Sequence, residues 1–228
     1  MRTTGKGAER VSNTRRSISR RAYWLVGVSV LIAASLIAAS ILARPAPSPK
    51  PSSTASTVSP IPLAAGTSFP ATYQPYTLNG RAARLGYGQR ATVIVFMASW
   101  CKYCAYDDAY VWPELTKQQG VAVDIVDVSP YSGIGTPGPK SPPWQGTDGT
   151  GHLVDRQGMI GVMQTYVAQF HLSQPGVHVF VDPAGTKRWP IKYFPTAVFL
   201  NAQKQVTQVS SGGVTLSQAT SLLKVALR

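Results

Sequence analysis

The chain has 228 residues, 44% hydrophobic and 14% charged, with a formal net charge of +13. That content suits one globular domain of ordinary size plus some non-globular sequence. The charge argues against a nucleic-acid surface, because nine Lys/Arg against Glu9 alone fall within residues 1–50, and the remainder carries only a mild excess of thirteen basic over eight acidic side chains, with no phosphate-binding stripe.

Residues 1–21 read as a basic cytoplasmic N-terminus. They lead into AYWLVGVSVLIAASLIAASILA, residues 22–43, which has no charged side chain. As a helix this run spans about 33 Å, enough for a bilayer core of about 30 Å. Arg15, Arg16, Arg20 and Arg21 crowd its first end, so the positive-inside rule keeps the N-terminus in the cytoplasm and exports the chain beyond Arg44. A transmembrane anchor is the favoured reading. The rival is a cleaved signal peptide, for which Ala38-Ala39-Ser40 offers small residues, although the apolar run exceeds the usual length of about 7 to 15 residues. Both readings place the folded domain in an extracytoplasmic setting.

Residues 44–70 come next as a linker; 44–62 alone contain six prolines and five serines and nothing that could build a core. The folded domain is expected over 71–228. Its first element is YTLNGRAARL, where Asn79-Gly80 between two short strand-like runs signals a hairpin. ATVIVFMAS, residues 91–99, is apolar throughout and rich in β-branched residues, as a strand buried on both faces would be. From Cys101 the pattern turns helical up to Gly120, with Pro113 expected to kink the helix. VAVDIVDV, residues 121–128, is the next strand. Together they predict a right-handed βαβ unit with Cys101 at the carboxyl end of the first strand.

Residues 129–158 contain five prolines and seven glycines. A loop this long is either functional or a disordered insertion. It leaves the carboxyl end of a strand parallel to the one bearing the cysteines, the edge where open α/β sheets bind ligands. Met159–Leu172 then reads as an amphipathic helix, 177–181 as a strand, 196–201 and 205–210 as a hairpin, and Thr215–Leu227 as a last helix opened by a Thr215/Gln218 capping box.

Cys101 and Cys104 are the only cysteines. As a staple the pair would close a ring around two residues, and a disulfide stabilises chiefly by restricting a long loop in the unfolded chain. Structural zinc needs four ligands, and no second cysteine pair or spaced histidine pair supplies them; His152, His171 and His178 are scattered and read as ordinary surface or core residues. A reactive pair remains. Cys101 falls in the first helical turn, where free N–H groups favour a thiolate, and Lys102 adds a positive charge. Cys104, one turn deeper, would be the resolving thiol. Cys101 would attack a substrate disulfide, and Cys104 would then displace the substrate from the mixed disulfide. No cofactor and no metal is called for.

VIVFMASWCKYC, YFPTAVFLN about ninety residues later, and Gly212-Gly213 before a C-terminal helix resemble the thioredoxin-like superfamily, in particular the membrane-anchored extracytoplasmic thiol–disulfide oxidoreductases of the TlpA/ResA type. The resemblance covers roughly Tyr76 to Leu227. It implies a mixed β-sheet flanked by helices, with residues 129–158 as an insertion. It also implies that Pro195 is a cis-proline facing the cysteines, with Trp100, Lys102, Tyr103 and Phe194 shaping the substrate site. The implied partners are exported thiol or disulfide proteins and an upstream membrane electron donor or acceptor. On subgroup resemblance alone the direction is reduction, for example in cytochrome c maturation; an oxidase or isomerase and a Sco-like copper metallochaperone are the alternatives.

The chain also departs from thioredoxin. Val95 stands where thioredoxin has a buried aspartate, so that proton acceptor is missing. Asp124 could take over if it points toward Cys104; otherwise Asp124 and Asp127 mark the solvated end of a strand.

Overall fold

The computed structural model describes residues 60–228. The basic N-terminus, the expected anchor at 22–43 and most of the linker lie outside the described residues. Among the described residues no helix is long and apolar enough to cross a membrane.

The sheet is organised around β2 (Ala91–Met97), whose seven residues are all buried. It pairs in parallel with β3 (Val121–Asp127), which pairs in parallel with β4 (Val177–Val181). On its other side β2 meets β5 (Thr196–Asn201) antiparallel, and β5 meets β6 (Val206–Ser211) antiparallel. A two-residue β1 (Tyr76–Thr77) closes the far edge against β4, giving the order β1-β4-β3-β2-β5-β6. The Asn79-Gly80 turn after β1 forms as expected: Gly80 takes φ +81°, and the chain returns so that Tyr76 bridges Ala82.

Two crossovers, from β2 to β3 and from β3 to β4, step the same way across the sheet. Right-handed crossovers that step the same way lie on the same face. The first carries α1 (Lys102–Tyr110) and α2 (Trp112–Leu115), and the second carries α3 (Arg156–Gln169). These helices and α5 (Leu216–Ala226) pack on one face, around Val93, Val95, Val123 and Ile125. The capping box of α5 forms, with Thr215 and Gln218 each bonding the other's backbone N–H.

Pro113 does more than kink a helix. α1 ends at Tyr110 and α2 restarts at Trp112, with Pro113 in its first turn, where the missing N–H costs nothing.

The sheet has a second buried face. It is covered by an irregular N-terminal segment and by the one-turn α4 (Gly185–Arg188) with Trp189 behind it. Phe69 stacks on Trp189 at 5.0 Å between ring centroids, and Tyr73 meets the same ring edge-on at 4.9 Å. The Tyr73 hydroxyl donates to Oδ2 of Asp182 at 3.0 Å. This packing also moves the start of the folded domain ahead of Ala71. Ile61 N–H donates to the Arg188 carbonyl, Ser68 bridges Gln205, and Phe69 is buried.

Candidate active site

β2 runs directly into Trp100-Cys101, and Cys101 is the N-cap of α1. Its extended backbone turns the sulfur back over the first helical turn, where the Cys104 backbone N–H donates to it at 3.4 Å. From the opposite side, 93 residues along the chain, comes the Phe194 carbonyl, 3.8 Å from the same sulfur. The Phe194–Pro195 bond is cis. Trp100 packs edge-on against the Phe194 ring at 6.0 Å and donates its indole N–H to Ser129 Oγ at 2.8 Å. Five of the residues singled out from the sequence, Trp100, Cys101, Cys104, Phe194 and Pro195, therefore meet at one point. Lys102 and Tyr103 join them on the exposed side, with the Lys102 ammonium 5.2 Å above the Tyr103 ring.

Both cysteines are free thiols, and their environments differ. Cys101 is held below the ordinary thiol value, first because the Cys104 S–H donates to it; burial opposes this, the Cys104 and Tyr103 backbone N–H groups support it, and the Asp148 carboxylate opposes it. Cys104 is pushed well above its ordinary value by burial first, then by its bond to Cys101 and by the charge there. An outer sulfur that ionises more readily beside an inner one held protonated is the arrangement that exchange through a mixed disulfide needs.

Asp124 is not at this site. Side chains alternate along a strand, and Val123 and Ile125 face the helices while Val126 and Val128 face the second core. Asp124 shares the phase of Val126, so it lies on the far side of the sheet from Cys104. There its Oδ1 is 2.9 Å from Nδ1 of His178 and accepts the Gly86 N–H at 3.0 Å. The solvated-end reading fails as well, because Asp124 and Asp127 are both completely buried.

The carboxylates on the cysteine face are Asp107, Asp108 and Asp127, of which the first two escaped the sequence reading. Asp108 sits four residues after Cys104 on α1, which puts the two on one helix face. It is fully buried; the Tyr166 hydroxyl of α3 donates to its Oδ2 at 2.6 Å, and its Oδ1 has no partner. Burial lifts it to about 7, against the Tyr166 bond, and the charge of Cys101 adds to the rise. Asp107 accepts the Val214 N–H with both oxygens at 3.2 Å, and burial raises it well above the usual range. Asp127 is raised to about 8, mainly by burial. The legible signal is a pair of aspartates three and four residues beyond Cys104 on the helix that Cys101 opens.

Raised carboxylates make the native state bind protons more tightly than the unfolded chain between about pH 4 and pH 8, so stability falls as pH rises through that window. His178 acts in the same sense: Asp124 raises it, and the stability this contributes is lost as pH climbs through its folded value. Cys101, lowered, acts in the opposite sense. The reduced protein is expected to melt roughly 5 °C or more lower at pH 8 than at pH 5. A flat or rising melting temperature over that range would contradict the buried carboxylates.

Residues 129–158 are ordered onto the site. Tyr131 bridges Leu153 at the neck, and two limbs run back to back between them as a strap. The Gly135 N–H donates to the Ser99 carbonyl at 2.9 Å and the Gly149 N–H to the Trp100 carbonyl at 2.8 Å. A side chain at Gly135 would meet the Trp100 oxygen at 2.7 Å, which is why glycine stands there. Tyr106 and Tyr110 donate their hydroxyls to the carbonyls of Lys140 and Gly138, each at 3.0 Å. Trp144 packs on Tyr103 and Tyr106 and over Gly213, whose missing side chain leaves room for the indole. With the strap in place Cys101 is only 4% exposed.

No protein-family model matches the chain, and no curated protein matches it by sequence. Solved structures do resemble it. A candidate thiol:disulfide interchange protein DsbE from Chlorobium tepidum is 16% identical, with 73% of this chain and 100% of that one covered, at a TM-score of 0.50. A candidate electron transfer protein from Aquifex aeolicus is 12% identical over 72% of this chain and 94% of that one, at 0.51. A thioredoxin-like protein from Aeropyrum pernix is 17% identical over 68% and 89%, at 0.47. The fold is thioredoxin-like.

Proposed function

We propose that this chain is a thiol–disulfide oxidoreductase acting on exported proteins through Cys101 and Cys104, in the reducing direction. One observation carries the reading: the Cys101 sulfur lies between the first-turn N–H groups of α1 and the carbonyl that precedes a cis-proline. The name of the Chlorobium tepidum neighbour agrees with it. The apolar run at 22–43 would hold the domain at the outer face of the cell membrane, as the sequence suggests.

In the proposed reaction the Cys101 thiolate attacks one sulfur of a client disulfide and expels the other as a thiolate. Asp108 takes the Cys104 proton as the Cys104 sulfur attacks Cys101. The client leaves with two thiols and the pair is left as a disulfide, so two electrons have moved. The pair must then be reduced again, which implies an upstream membrane dithiol donor. Maintenance of thiols such as those used in cytochrome c maturation fits this direction. Running the steps backwards would make an oxidase or isomerase. A copper-carrying role would bring a distal histidine to the cysteines, and His178 instead bonds Asp124 across the sheet.

The full chain with dithiothreitol is expected to accelerate insulin disulfide reduction, and Cys101→Ser is expected to abolish the acceleration. A wild-type protein no faster than dithiothreitol alone would overturn the proposal.

A further inference from the structure

α1 has no acidic residue in its own first turn. The strap supplies one from 46 residues away: Oδ1 of Asp148 accepts the Lys102 backbone N–H at 2.8 Å. The placement is fixed by the adjoining residue, since the Gly149 N–H is bonded to the Trp100 carbonyl. The first-turn N–H groups of a helix carry most of its positive potential, and that potential favours an anion. Here two anions draw on it. The Lys102 N–H goes to the carboxylate, and the Cys104 N–H goes to the Cys101 sulfur.

We propose that Asp148 is a positioning residue that biases the cysteine pair toward its disulfide, making the protein a stronger reductant, because its carboxylate already occupies the helix end on which a Cys101 thiolate depends. This rests on the exchange reaction proposed above and explains its direction. A thiolate at Cys101 exists only in the reduced protein, so a fixed negative charge beside it penalises the reduced form and spares the disulfide. The balance for that thiolate form is one S–H bond and one thiolate charge lost and one S–S bond formed, with two electrons and one proton passing to an acceptor disulfide, which leaves as one thiol and one thiolate.

The other groups that act on Cys101 belong to the packed interior. Cys104, Asp107 and Asp108 reach it from α1, and Tyr166 reaches it from α3. The cis-proline turn contributes only the uncharged Phe194 carbonyl. The Lys102 ammonium lies over the Tyr103 ring. Asp148 thus sets the charge at the helix end from a part of the chain outside the core of the fold.

The test equilibrates the full chain with glutathione and glutathione disulfide, and follows Cys101 ionisation by thiolate absorbance against pH. Asp148→Asn keeps the acceptor oxygen and removes the charge. Its equilibrium constant for oxidation by glutathione disulfide is expected to fall about three- to tenfold, the larger value being about 30 mV, with a lower titration midpoint for Cys101. Asp148→Ala should move both readouts the same way. Glu114→Gln, which removes an exposed charge paired with Lys117, should move neither. Unchanged equilibrium and titration in Asp148→Asn would overturn the inference, as would an equal shift in Glu114→Gln. A wild-type protein that fails to exchange with glutathione at all would instead overturn the proposed function.

Discussion

Cys104→Ala, made in the full chain and recovered from cells with thiols blocked by acid, is expected to carry client proteins joined to Cys101 through mixed disulfides. Cys101→Ala should carry none. The asymmetry comes from the two environments, since the outer sulfur is favoured as a thiolate and the inner one is fully buried and held protonated. In the wild type the second step is intramolecular, with effective concentrations of about 10⁵ M or more for well-aligned groups. Without Cys104 the adduct waits for an external thiol at millimolar levels. Turnover is expected to fall on the order of a thousandfold or more, while the first attack is nearly unaffected. Adducts on Cys101→Ala and none on Cys104→Ala would reverse the two roles. The trapped proteins would also identify the clients.

Asp108→Asn is expected to slow the second step about a hundredfold at neutral pH and to remove its pH dependence. A buried carboxylate lifted to about 7 exists partly as an anion at neutral pH, so it can take a proton from the thiol one helical turn away. In the wild type the release of client should rise with pH through about 7 as Asp108 ionises. An asparagine has no proton to lose there and cannot accept the one from Cys104. Stability should hold or increase, because the substitution removes the charge whose burial raises the group. Rapid-quench measurement of mixed-disulfide decay from pH 5.5 to 8.5 reads the effect directly. An unchanged profile would leave Asp108 a structural partner of Tyr166 and nothing more.

The cysteine pair, its place at the end of a central strand and the start of a helix, and the order of elements in the βαβ unit were legible in the sequence. Each rests on short-range rules. The apolar β-branched run 91–99 has to be buried on both faces, and Gln218 three residues after Thr215 has to close a cap. The cis state of Pro195 was legible only through resemblance to a family. The start of the domain lies ahead of Ala71 because Phe69 and Tyr73 pack on Trp189, and nothing local shows that a ring so far along the chain will meet them.

By itself the sequence determined which side chains carry the chemistry and which elements hold them, since periodicity, caps and turn residues act over a few positions. Only the tertiary structure decided which groups meet. Asp124 was excluded by the phase of β3 against β2, one residue of register being enough to send a side chain to the opposite face. Asp108 gained its partner from α3, 58 residues away, and Asp148 reached the helix end because the glycines of the strap let backbone lie directly on backbone. Such meetings depend on crossovers and close packing between distant segments, and no local pattern of residues encodes them.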